Sequence, residues 1–240
     1  MSMKRYLIYI IASFLMMVSC TSEQDIPTKG QATVAVQSLT RSGSSNSAAI
    51  DDDLAITILD SNGDLYRKYP AGTVPKKIVL EPGTFTLQVY TENQDSWAAA
   101  NDGLGEACYF GTTQFSVEYD QVVYVNMQVP LSNYAVTLTL PYLFTDLFKS
   151  YSLNLTSGNR NVRIQEAQKA YFSVADGGFT YKLEATNNDN VSHATNPITY
   201  KKVENGKLYN LTYYYGTDAN SGGIDIEITD NMETEDVPVG

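Results

Sequence analysis

Cysteine is almost missing from this chain, with Cys20 and Cys108 its only two in 240 residues. Small exported domains that cannot build a sufficient core rely on several disulfides. Here packed apolar side chains have to hold the fold instead. Histidine is scarcer, with His193 alone, in a run of Asn, Asp and Ser. One imidazole and no Gly-x-Ser-x-Gly elbow supply no nucleophile–base pair. One His and one spare Cys make no zinc site. His193 is therefore read as a solvated loop residue. Cys108 has no basic neighbour in sequence to lower its pKa and reads as a small buried thiol. Basic residues are also few: 16 Lys and Arg against 27 Asp and Glu, a net charge of −11. Such a chain repels phosphate backbones, which excludes nucleic acid as a partner. No stretch reads as a long amphipathic helix, and no pair of carboxylates stands out for glycoside hydrolysis. The reading is of a protein that is not an enzyme, with no cofactor and no catalytic or metal residues.

What is present begins with a leader. Lys4 and Arg5 precede an apolar run from Leu7 to Val18. Twelve residues fall short of the roughly 20 that a spanning helix needs, and fit a secretory signal peptide. The run ends in Met17-Val18-Ser19-Cys20, which resembles the lipobox of bacterial lipoproteins, with Met17 where Leu is more usual. The resemblance implies a signal peptide over residues 1–19 and lipidation at Cys20. Multiple acyl chains give stable attachment to a membrane. The acidic start Thr21-Ser22-Glu23-Gln24-Asp25 resembles the surface-export signal of Bacteroidetes lipoproteins. Without residues 1–19 the chain carries 14 basic and 27 acidic residues, a net charge of −13.

Residues 20–30 read as a tether. After it, period-2 alternation recurs about every ten residues, the pattern of β-sandwiches. Thr33–Leu39 is the first expected strand, and Arg41 to Ala49 an expected mobile loop. Leu54–Leu59 and Leu65–Tyr69 flank Asp60-Ser61-Asn62-Gly63-Asp64, whose Asn-Gly is a hairpin signal. The same residues open like a calcium loop. Leu65 and Ala71 stand where that loop needs Gly and Glu, so the hairpin is preferred. Asp51-Asp52-Asp53 reads as a solvated charge run. In Phe85-Thr86-Leu87-Gln88-Val89-Tyr90 the apolar residues face one way and Tyr90 the other. Gln94–Glu106 is a polar loop around Trp97. Further strands are expected at Phe115–Val117, Val122–Val129 and Ala135–Leu140, with a short helix around Leu143-Phe144 and Leu147-Phe148. The second half repeats the theme: Gly178-Phe179-Thr180-Tyr181-Lys182-Leu183 echoes Thr84–Val89. Asp225, Glu227 and Asp230 alternate with isoleucines as an acidic outer face. The pattern predicts two β-sandwich lobes, residues 31–130 and 131–240; a single larger sandwich is the other arrangement it allows.

The lipobox, the early alternating strand, the Asn-Gly hairpin and Leu80-Glu81-Pro82-Gly83-Thr84-Phe85-Thr86-Leu87 together resemble the fimbrillin-like lipoproteins of Bacteroidetes. Tyr109-Phe110-Gly111 and the ending from Leu208-Tyr209-Asn210-Leu211 to Ile224–Ile228 fit the same group. The resemblance spans about residues 30–230 and implies two transthyretin-like Greek-key β-sandwich domains in tandem. It also implies a role as pilus subunit or anchor in adhesion, lipid-anchored at the outer membrane. Other fimbrial subunits become the expected partners through strand addition, and a host or bacterial surface ligand is a further one. Subunits of this type are cut after an Arg near the first strand, which here falls on Arg41; anchor subunits stay uncut. The alternative function is a surface glycan-binding lipoprotein of a polysaccharide-uptake system. Trp97, Tyr90 and Tyr109, with Tyr119, would then form its stacking platform.

Overall fold

The structure, a computed structural model, describes residues 31–42, 50–215 and 222–229; for Tyr215 and residues 222–229 it describes the backbone alone. The expected leader 1–19, Cys20, the tether 20–30 and residues 43–49 of the Ser/Gly/Asn stretch lie outside the described residues. So do Asp230 and the side chains of Asp225 and Glu227.

Alternation is followed closely and the chain is all-β. The strands of the first half are β1 (Ala32–Arg41), β2 (Leu54–Leu59), β3 (Leu65–Tyr69), β4 (Lys77–Leu80), β5 (Gly83–Thr91), β6 (Phe110–Val117) and β7 (Val122–Val129). The second half holds β8 (Tyr134–Thr139), helix α1 (Phe144–Leu147), β9 (Phe148–Ser157), β10 (Arg160–Ile164), β11 (Lys169–Phe172) and β12 (Phe179–Asn187). It ends with β13 (Ser192–Ala194), β14 (Ile198–Tyr200), β15 (Leu208–Tyr215) and β16 (Gly222–Thr229).

The sheets are β4-β1-β7 and β3-β2-β5-β6 in the first half, β11-β8-β15-β16 and β10-β9-β12-β13 in the second, where β14 also pairs β12. The two halves share one wiring. β1 takes an antiparallel neighbour and a parallel one, β4 and β7; β8 takes β11 and β15 in the same senses. The echo between Thr84–Val89 and Phe179–Leu183 has the same origin, since β5 and β12 are both central strands.

Each half has its own apolar cluster. The first joins Ala32, Val34, Val36 and Leu39 of β1 to Ile56, Ile58, Phe85, Leu87 and Val125 from the two facing sheets. The second is built around Tyr134, Phe172, Phe179 and Tyr209. The Tyr134 and Tyr209 rings meet edge-on at 5.6 Å. Both tyrosines are fully buried and need partners for their hydroxyls. Tyr134 has Ser157 Oγ at 3.2 Å, and Tyr209 donates to the Lys202 carbonyl at 3.2 Å.

The Asn-Gly hairpin forms as its sequence demands. Asp60 Oδ1 accepts from the amides of Asn62 and Asp64, at 2.8 and 3.0 Å, and Gly63 takes φ 86°. The strand expected at Phe115 begins five residues earlier, at Phe110. Arg41 is corrected from the head of a loop to the last residue of β1.

Candidate functional site

β1 is a central strand by construction. Its residues 32–35 pair antiparallel with β4, and residues 33–41 pair parallel with β7. The register slips between Val36 and Ser38, so Gln37 is an extra residue, a β-bulge. Alternation puts Ala32, Val34 and Val36 on the core side before the bulge. After it the phase changes, and Leu39 and Arg41 take that side. An arginine thereby ends on the inner face of the sheet.

Arg41 is received there by acids. Nε donates to Asp51 Oδ2 at 2.6 Å, and Nη1 lies 3.2 Å from Asp53 Oδ2. The guanidinium carbon lies 5.6 Å from the Tyr109 ring centre. Burial works against the charge, but the hydrogen bond and charge of Asp51, with the charge of Asp53, outweigh it and raise the Arg41 pKa. Two main-chain bonds complete the clamp: Asp51 N to Leu39 O and Ser42 N to Val129 O, both 2.8 Å. Asp51 and Asp53 are thus ligands of the arginine, which corrects their reading as a solvated charge run. An ion pair between residues ten apart in sequence leaves no local mark there. Beside the bulge lies a groove of about 720 Å³, lined by Val36, Gln37, Ile50, Val74 and Lys76.

The aromatic residues singled out from the sequence are not brought together. Tyr109 is 2% exposed and belongs to the first core. Tyr90 lies half-buried on the outer face of β5, its hydroxyl 3.0 Å from Thr57 Oγ1 and its ring under Lys68. Trp97 sits in the loop after β5, its ring 5.2 Å from the Arg160 guanidinium carbon. Tyr119 is exposed at the turn between β6 and β7. No ring contact joins any two of these four among the described residues.

Trp97 belongs instead to a strap between the halves, residues 93–107. Arg160, on β10, donates to the carbonyls of Ala98 at 3.0 Å, Gly103 at 2.6 Å and Tyr171. Its other face lies 5.0 Å from the Phe172 ring centre. Tyr171 N donates to Leu104 O at 2.8 Å, and Leu104 packs on the second core. Asn133 is 2% exposed and ties the far end, accepting from Cys108 N at 3.2 Å and donating to Glu106 O at 2.8 Å. Neither Arg160 nor Asn133 carried a sequence signal, because their partners lie 11 to 62 residues away.

Cys108 is buried, and burial pushes its thiol pKa up. His193 is exposed on β13, its ring 5.8 Å from Phe148. Neither has a catalytic partner among the hydrogen bonds described.

The fold has solved counterparts. A candidate cell adhesion protein of Bacteroides uniformis superposes with a TM-score of 0.53 at 10% identity, over 84% of this chain and 99% of that one. The fimbrial anchor protein Mfa2 of Porphyromonas gingivalis gives 0.43 at 12% identity, over 83% and 98%. The tip fimbrial protein Mfa3 of the same organism, with a C-terminal truncation, gives 0.47 at 9% identity, over 85% and 100%. These neighbours are fimbrial and adhesion proteins of Bacteroidetes, the group named by the sequence resemblance. Comparison with curated proteins finds no match. Residues 23–239 match the family described as a domain of unknown function, DUF4493, and the chain belongs to that family.

Proposed function

We propose that the chain is a non-catalytic cell-surface lipoprotein of fimbrillin-like type, a pilus subunit or anchor, that assembles by exchange of β1. Acyl chains on Cys20 tether it to the outer membrane. The two clusters, divided near residue 130, are two transthyretin-like Greek-key sandwiches in tandem. The fimbrial and adhesion character of the neighbours supports the general role.

The observation that carries the reading is the central place of β1. Cleavage after Arg41 would free Ala32, Val34, Val36 and Leu39 from the first core. At about 1.5–3 kcal/mol for a buried Val or Leu, that removes on the order of 5–10 kcal/mol. The loss is comparable with the whole stability of a domain. A groove so opened between β4 and β7 has to be refilled, and an extended strand from another subunit would do so with main-chain bonds and alternate side chains. Trp97, Tyr90 and Tyr109 form no common stacking surface, so their geometry lends no support to glycan binding.

The test is intact mass and N-terminal sequencing of protein recovered from native cells, alongside palmitate labelling of wild type and Cys20→Ala. A lipid-bearing precursor with a pool beginning at Ser42, and label lost in Cys20→Ala, is the expected result for a subunit. Only lipidated chains beginning at Cys20 would mark an anchor and remove β1 exchange. Unlabelled chains retaining residues 1–19 would sink the whole reading.

A further inference from the structure

The end of β1 touches two separate stretches of chain. The Arg41 guanidinium lies over the Tyr109 ring, and Ser42 N donates to Val129 O at 2.8 Å. Both stretches lead into the joint between the halves, where they are laced to each other. Phe110 N donates to Pro130 O at 3.1 Å, Ser132 N donates to Cys108 O at 2.7 Å, and Tyr109 bridges Leu131. Leu131 packs in the first core, and Tyr134, just beyond the joint, packs in the second.

The strap continues from this joint onto the second half. Asn133 holds both Cys108 N and Glu106 O. The next residue back, Gly105, takes φ 84° and is wedged between Trp97 and Tyr171. A Cβ there would lie 3.3 Å from a ring carbon of Trp97 and 3.3 Å from the Tyr171 carbonyl oxygen, so no side chain fits without a shift. Contacts thus pass without a gap from Arg41 through Tyr109, Cys108, Asn133 and Glu106 to Gly105 and Trp97. Contiguous networks of packed and hydrogen-bonded groups carry energetic coupling between distant positions.

We infer that the end of β1 and the strap are one coupled unit, so that the seating of β1 sets how firmly the two halves are joined. With Arg41 in its clamp, Tyr109 is capped, Val129 is backed, and the strap stays closed on Arg160. When the end of β1 leaves, both supports go and the strap loosens around Trp97. Coupling is reciprocal, so a loosened strap also eases the departure of β1. The coupling belongs to the folded chain; its use, carrying occupancy of the β1 seat to the joint, rests on the proposed exchange of β1.

The test is amide hydrogen exchange of the folded full chain, read residue by residue, with Trp97 emission alongside. The amides of Ser42 and Asp51 report the end of β1, and that of Tyr171, bonded to Leu104 O, reports the strap. Arg41→Ala should speed exchange at Tyr171 about threefold or more and shift Trp97 emission to the red, although Arg41 has no described contact with either. Arg160→Ala should speed exchange at Ser42 and Asp51 by a similar factor. Arg41→Gln and Arg160→Lys serve where the alanine variants do not fold. Gly63→Ala, in the hairpin between β2 and β3, should do neither and controls for a general loss of stability. Effects confined to the substituted side, or matched by Gly63→Ala, overturn the inference. No arm needs lipid, cleavage or a partner, so the coupling stands or falls apart from the fimbrillin-like reading.

Discussion

Arg41 and Tyr109 meet at the end of β1, guanidinium over ring, although Arg41 reads in sequence as the head of a loop and Tyr109 as a ligand-contact aromatic. The pair closes the open end of the first core, and Asp51 fixes the arginine in place. Arg41→Ala is expected to lower unfolding free energy by about 1–2 kcal/mol, the range for a charge-assisted bond with partial burial. Urea denaturation measures it. Asp51→Ala should also quicken tryptic cleavage after Arg41, because the side chain has to leave the clamp to enter a protease. Equal cleavage rates in wild type and variant would show that the clamp does not gate the site.

Arg160 offers a second measurable link, between the halves. Arg160→Ala removes three carbonyl contacts and two ring faces, and should cost about 2–3 kcal/mol in urea denaturation. Arg160→Lys should rescue little, since an ammonium cannot reproduce the planar fork. Trp97 is the only tryptophan, so its emission should shift to the red in Arg160→Ala as the ring loses its cover. With Trp97 engaged in this way, Trp97→Ala and wild type should be retained equally on glycan affinity gels.

Gly178 precedes β12 with φ 119°, a conformation that L side chains rarely adopt. A Cβ there would collide with the Tyr200 carbonyl oxygen and lie 2.8 Å from Lys201 Cα, both backbone atoms. Gly178→Ala is expected to destabilise by more than about 2 kcal/mol. Gly63→Ala is the control: φ is positive but space is open, so strain alone should cost about 1 kcal/mol.

Alkaline pH should loosen the second core. Burial pushes the Tyr134 hydroxyl up to about 12, against the smaller effect of its bond to Ser157. An unfolded tyrosine titrates at about 10. Between those values the unfolded chain has released a proton that the folded chain keeps, so stability falls as pH rises, by up to about 1.4 kcal/mol per unit. Below the unfolded pKa this contribution is fully present. Tyr109, Tyr171, Tyr209 and Tyr213 are raised by burial too and act in the same direction. Urea midpoints should be flat up to pH of about 9 and fall beyond about 10, less steeply in Tyr134→Phe.

Local signals carried most of the strands. β2, β3 and β7 begin and end where alternation and turn residues place them, because each is bounded by a residue that breaks the pattern. The beginning of β6 was illegible: Gly111-Thr112-Thr113-Gln114 offers no apolar alternation, and pairing with β5 makes it a strand. The site was less legible still. Trp97, Tyr90 and Tyr109 are near in sequence, yet a strand and a loop send them to an outer face, a strap and a core. Asp51 finds Arg41 only because Ile50 bridges Leu39 near the end of β1, and nothing short-range encodes that.

The extra residue Gln37 has a bearing on what can replace β1. The strand presents two half-patterns out of step, Ala32-Val34-Val36 and then Leu39. A donor of unbroken alternation, laid into the vacated channel, would satisfy one half and turn its polar side chains inward along the other. The channel is therefore a lock with an offset ward, and a fitting key needs an insertion of its own near the middle.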